Sequence, residues 1–356
     1  MKKKVYLTLE NGKVFQGYRF GAIGEKTGEL VFSTGMVGYV ETLTDPCNYG
    51  QIVVQTFPLI GNYGVNEQDV ESDCAWLSAY VVREICDAPS NFRSEGDLES
   101  FMKKKGVVGV YGVDTRELTK ILREEGSMNA RISDKPLNEE EMKNLSKFSV
   151  KDALSVTASL TKKTHGDERA KYKVALWNLG GKNSTANNLV KHGCYVIDMP
   201  TNTTAEEILS LGVDGVVLGD GAGNPADNVT IIEEVKKLIG KTPIFGMGLG
   251  LQILALAFGG KTAKLKSGHR GSNQPVKCEK CGKVFVSSQN HSYVVLPSSV
   301  PQGKQWFFNV NDGSCEGMQY EEYKALGVQF NPEACSIGNP ENPVYKKFFT
   351  LMDKEN

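Results

Sequence analysis

A chain of 356 residues with 41 basic and 42 acidic side chains and a net charge of −1 offers no electrostatic reason to bind nucleic acid or an anionic membrane. At that length, with 40% apolar and 23% charged residues, two ordinary globular domains are expected, each large enough to bury its own core. The longest apolar stretches, such as Ile253 to Phe258, fall far short of the ~20 residues a membrane span needs, and Met1-Lys2-Lys3-Lys4 leads into a strand pattern rather than a signal segment, so the cytoplasm is the expected location.

The first half reads as strands and turns. Val5, Leu7 and Leu9 alternate with polar neighbours up to Asn11-Gly12, a turn dipeptide that tolerates positive φ, and Val14-Phe15 resume the strand. Helical periodicity appears from Leu98 to Lys105 and from Thr115 to Glu124, where Leu118, Ile121 and Leu122 share one face. This half has no histidine and no acid pair at catalytic spacing, and reads as a β-rich scaffold. From Asp134 to Lys171 the composition shifts to Lys, Glu, Ser and Thr, which predicts a short helix and then a linker. The expected domains are residues 1–150 and 173–356, with 151–172 as the linker.

Beyond that boundary strands and helices alternate, the pattern of a parallel sheet with crossover helices. Strands are read at Val174-Trp177, Cys194-Ile197, Gly215-Leu218 and Thr242-Phe245, and helices at about Thr185-Lys191, Ala205-Leu211, Val229-Leu238 and Leu249-Phe258. The fold class is α/β: a β-rich N-terminal domain followed by a mostly parallel sheet flanked by helices. Sites in such sheets form beyond the carboxyl ends of the strands, where Gly219 to Gly223 and Gly246 to Gly250 lie.

The run Thr242-Pro243-Ile244-Phe245-Gly246-Met247-Gly248-Leu249-Gly250-Leu251-Gln252 is a strand, a tight turn and a helix start. Such an elbow holds one side chain out over the sheet as a nucleophile, with backbone N–H groups beside it for a developing oxyanion. Its apex here is Gly248, which has no reacting atom. A dinucleotide fingerprint is the rival reading, but G-x-G-x-x-G fails at Leu251 when counted from Gly246 and at Ile253 when counted from Gly248. The eight cysteines are scattered and read as reduced thiols. Only Cys278 and Cys281 have metal-like spacing; without a second close pair they read as a hairpin turn before Val284-Phe285-Val286, and no metal is expected.

Ordered motifs run almost end to end. They include Phe32-Ser33-Thr34-Gly35-Met36-Val37-Gly38-Tyr39, Pro58-Leu59-Ile60-Gly61-Asn62-Tyr63-Gly64, Gly112-Val113-Asp114-Thr115-Arg116 and Gly219-Asp220-Gly221-Ala222-Gly223-Asn224-Pro225. Further on come Gly268-His269-Arg270-Gly271-Ser272-Asn273-Gln274-Pro275, Ser288-Gln289-Asn290-His291 and Asn331-Pro332-Glu333-Ala334. With the elbow, these resemble the small, glutamine-hydrolysing subunit of carbamoyl phosphate synthetase, of the class I glutamine amidotransferases.

The resemblance implies a Cys-His-Glu triad whose cysteine falls on Gly248 and whose histidine falls on Asn331, with the carboxylate kept as Glu333. It implies a glutamine pocket at Cys47, Gly221, Gly223, Leu249, Gln252, Asn290, Ser292 and Tyr293, altered where Cys47, Ser292 and Tyr293 replace the family's serine, glycine and phenylalanine and where Ala222 replaces its proline. It also implies a large partner subunit holding ATP, Mg²⁺ and bicarbonate, no cofactor in this chain, and a product, carbamoyl phosphate, that serves arginine and pyrimidine synthesis. The reading is a small subunit with a degenerate glutaminase site, a structural and regulatory partner of a large subunit that uses ammonia. Two alternatives stay open: a sensor that binds L-glutamine without hydrolysing it, and an active amidotransferase using another nucleophile, for which Cys47 and Cys335 are the candidates.

Overall fold

The structure is a computed structural model and describes residues 3–335 and 343–353. The chain divides into two compact units: Met1–Ala153 with Lys266–Gly271, and Leu154–Leu265 with Ser272–Asn356.

In the first unit, among the described residues, seven strands close a barrel: Lys4–Leu9, Val14–Gly21, Lys26–Ser33, Gln51–Gln55, Ala79–Val82, Val108–Tyr111 and Met128–Ser133. The turn at Asn11-Gly12 joins the first two as an antiparallel pair, with Thr8 opposite Val14. Because strand side chains alternate, Val5, Leu7 and Leu9 all enter one core with Leu30, Ile52, Val54, Val108 and Val110. The helix Thr115–Glu125 adds Leu118, Ile121 and Leu122 to that core. The opposite face, with Phe20, Val31, Val53, Tyr80 and Val82, packs on Leu98, Phe101 and Met102 of the helix Leu98–Lys105. Both helices begin at an aspartate that accepts a backbone N–H of the first turn, Asp97 from Ser100 (2.8 Å) and Asp114 from Glu117 (3.0 Å). The segment Lys266–Gly271 belongs to this unit by hydrogen bonds: Arg270 O accepts from Thr34 N–H (3.0 Å) and Lys266 O from Ser127 N–H (2.8 Å).

The second unit is built on one sheet, eleven strands wide among the described residues. Its centre is parallel, in the spatial order Cys194–Met199, Tyr172–Trp177, Gly215–Leu218, Ile244–Met247 and Ala325–Val328. Antiparallel strands extend it on both sides. On one edge is Lys163–His165, a short polar strand within the segment expected to be linker, which the sequence conceals because it carries no apolar alternation. The elbow strand lies two residues further along the chain than its pattern suggests: it begins after Pro243, which has no N–H to give to the ladder, and continues to Met247 by pairing with Val328. On one face Ala175, Trp177, Val216, Leu218 and Ile244 pack on the helices Ala205–Ser210, Val229–Leu238 and Leu249–Ala257. On the other, Val174, Leu176, Val217, Phe245 and Met247 meet the helices Asn183–Lys191 and Pro343–Met352.

The helix Leu249–Ala257 comes unusually close to the sheet. A Cβ on Gly250 would fall on Leu218 O and lie 2.7 Å from Leu218 C, and one on Gly246 would lie 2.7 Å from Gly250 O. Contacts that short require backbone to move. Gly250→Ala is therefore expected to cost roughly 3 kcal/mol or more, read as a lowered urea midpoint.

In the first unit Glu41 lies in the helix Tyr39–Thr44, where desolvation pushes its carboxyl up to about 7, from 4.5. A folded-state pKa above the unfolded one favours folding at low pH, and that advantage disappears as pH rises through the folded value. Denaturant titrations should show stability falling between about pH 4.5 and 7, with a smaller fall in Glu41→Gln.

Candidate active site

Parallel pairing sets the elbow. The strand Ile244–Met247 aligns with Ala325–Val328, Met247 opposite Val328, and the Gly248 N–H donates to Val328 O at 2.9 Å. Gly248 then turns at φ +53°, ψ −112° and the helix Leu249–Ala257 begins. Positive φ is strained for residues with a Cβ and open to glycine, so glycine suits this turn between strand and helix.

A second loop faces the apex. After the strand Gly215–Leu218 the chain passes through Gly219 and Asp220, and the Asp220 side chain folds back under the turn. Its Oδ1 accepts two backbone N–H groups, from Leu249 at 2.9 Å and from its own neighbour Gly221 at 2.8 Å. Asp220 is only 8% exposed. A Cβ built on Gly248 would fall on Oδ1 and Cγ of Asp220 and lie 2.6 Å from Oδ2. The carboxyl group thus occupies the place from which a side chain at the apex would start.

Further along the helix, Gln252 is buried and spends both amide N–H groups on the protein, donating to Tyr293 O at 2.7 Å and Gln329 Oε1 at 2.9 Å. Tyr293, Asn290 and Ser292 lie on the strand Val284–Leu296, where His291 Nδ1 also meets Tyr293 O at 3.0 Å. Asn331 and Glu333 lie on the strand Asn331–Cys335, whose backbone pairs with Ser287 and Ser288. Cys47 is in the first unit, buried in the turn Pro46–Asn48 with its N–H donated to Asp45 Oδ1 at 2.9 Å. Of the residues singled out from the sequence, the structure joins Gly221 to Leu249 through one carboxylate oxygen and Gln252 to Tyr293 by a hydrogen bond. Asp220 and Gln329 were not among them. Asp220 sits inside a quoted glycine-rich motif, but no sequence signal says that its side chain turns back onto the helix start.

The thiols of the second unit are poor nucleophiles where they are buried. Burial pushes Cys194 and Cys315 up to about 12. Cys278 is raised by desolvation, while the exposed Cys281 is lowered, chiefly by a hydrogen bond with Cys278. Cys278 ends the strand Lys261–Cys278 and Cys281 lies in the turn before Val284–Leu296, with Cys281 N–H donated to Cys278 Sγ at 3.3 Å. The strand bearing Cys278 is four positions from the elbow strand, or ~19 Å at the usual strand spacing. The side chain of Cys335 lies outside the described residues.

A parallel α/β sheet in which a strand leads through a positive-φ glycine into a helix, with a glycine loop beside it, is the scaffold on which a nucleophile elbow is built, and the family comparison assigns it to the class I glutamine amidotransferases. The profile described as glutamine amidotransferase class-I matches residues 178–351, and that of the carbamoyl-phosphate synthase small chain, CPSase domain, matches residues 7–132. The carbamoyl phosphate synthase small chain of Clostridium perfringens is 44% identical over 97% of this chain and 98% of its own length. That of Bacillus thuringiensis is 43% identical, covering 98% and 96%, and the pyrimidine-specific small chain of Halalkalibacterium halodurans is 40% identical, covering 98% and 97%. The chain belongs to the carbamoyl phosphate synthase small chain family. Among the described residues no helix is long and apolar enough to cross a membrane.

Gln252→Leu would leave Tyr293 O and Gln329 Oε1 without the donor that now joins them. The expected cost is about 2 kcal/mol, seen as a lowered melting temperature.

Proposed function

We propose that this chain is a carbamoyl phosphate synthase small subunit that has lost its glutaminase half-reaction, and that it acts as the structural and regulatory partner of a large subunit fed by free ammonia. Opening the glutamine amide needs a nucleophile on the elbow, a titratable base to take and return its proton, and an oxyanion site. Gly248 supplies no nucleophile. Asn331, at the position the family gives to the base, carries an amide that does not titrate in the useful range, and Glu333 is left with no imidazole to orient. In well-studied hydrolases, removing such a triad costs on the order of 10⁶ in turnover.

The observation that carries this reading is the Asp220 carboxyl group standing where a side chain at the apex would begin. It weighs against a catalytic residue there and against the glutamine-sensor reading alike, because the carbonyl of a bound amide would have to share that space. The two thiols raised to about 12 weigh against a nucleophile relocated to Cys194 or Cys315. ATP, Mg²⁺ and bicarbonate are assigned to the large subunit, the complex to the cytoplasm, and its product to arginine and pyrimidine synthesis.

The reconstituted complex decides the matter. Ammonium salts should support carbamoyl phosphate synthesis, and L-glutamine should support it only at the level of contaminating ammonia. Comparable rates with glutamine and ammonia would overturn the proposal.

A further inference from the structure

An elbow that has lost its nucleophile still has its electropositive groups. The Leu249 N–H opens a nine-residue helix, where the backbone dipole favours negative charge, and the Gly221 N–H comes from the loop after a neighbouring strand. One donor from the residue after the apex and one from a separate loop is the arrangement that stabilises an oxyanion in hydrolases of this kind. Here both converge on Asp220 Oδ1, at 2.9 and 2.8 Å. The same oxygen lies nearest the place that a Cβ on Gly248 would take, with Cγ and Oδ2 of the carboxyl group beside it.

We propose that Asp220 is a resident anion that occupies the oxyanion cradle, so that the chain is closed to a substrate carbonyl by its own carboxylate as well as lacking a nucleophile. This inference rests on the degenerate-elbow reading and extends it. Gly248 and Asp220 form a matched pair: the carboxylate can lie under the turn only because the apex residue has no side chain, and the apex can take a side chain only if the carboxylate leaves. Restoring the nucleophile and base alone therefore does not restore the site. Asp220 touches neither a substrate nor a reacting atom in this role; it determines what the cradle accepts.

The full chain is tested with three variants: Gly248→Cys, Gly248→Cys/Asp220→Ala and Asp220→Ala. Iodoacetamide, a small amide electrophile, is the probe, and alkylation at position 248 is followed by peptide mass spectrometry. The double variant should react faster than Gly248→Cys by on the order of tenfold or more, as expected when a nucleophile is freed from an obstructed position. Equal rates would overturn the inference. Should Gly248→Cys fail to fold, Asp220→Ala answers alone: its two freed N–H groups should accept formate, so that added sodium formate, against sodium chloride at equal ionic strength, raises its melting temperature and leaves the unmodified chain unmoved. A formate effect that is the same in both proteins would also overturn it. Neither arm depends on glutamine turnover by the unmodified chain, so an active glutaminase would defeat the functional proposal while these measurements still judge the cradle.

Discussion

The close approach of the helix Leu249–Ala257 to the strand Gly215–Leu218 is the constraint on which the rest of the elbow depends. With no Cβ on Gly250, the helix start settles against Leu218 O, and that seating brings the Leu249 N–H into the loop that follows the same strand. Gly246 permits the approach from the other side, and the Gly248 N–H, held by Val328 O, fixes the turn from below. Three backbone positions thus set the direction of one N–H, and that N–H captures Asp220. The site is organised by main chain, which explains how it holds this geometry with no side chain at the apex.

Much of this was legible in the sequence, for identifiable reasons. The helices at Leu98–Lys105 and Val229–Leu238 match their expected ranges because their apolar faces repeat at helical spacing between clear ends: Asp97 and Gly106 in one case, Asn228 in the other. The parallel strands Tyr172–Trp177 and Gly215–Leu218 stand out as short apolar runs buried on both faces. The elbow was readable too, since its glycines are spaced as the turn and the helix contact require. What stayed hidden depends on long-range pairing. Lys163–His165 becomes a strand only because Cys194–Met199 offers it an edge, and residues 266–271 join the first unit although they follow it by more than a hundred positions.

The candidate site was less legible than the fold. That Gly248 lacks a nucleophile is plain from its identity, but the fate of the vacated space is a matter of rotamer and backbone direction. Asp220 in a glycine-rich loop could as well have pointed into solvent or capped its own turn. Gln252 shows the same limit. The resemblance places it in the pocket, and only the structure shows that its amide donates to Tyr293 O and Gln329 Oε1.

The loan of residues 266–271 to the barrel unit bears on how the molecule is made. Thr34 and Ser127 find acceptors on Arg270 and Lys266, so a ribosome must add well over a hundred further residues after Ser127 before these two bonds can form, although all seven barrel strands lie within residues 4–133. Contacts of such high sequence separation slow assembly. A fragment that stops at Ala153 would hold every strand of the barrel but not the segment that accepts those bonds.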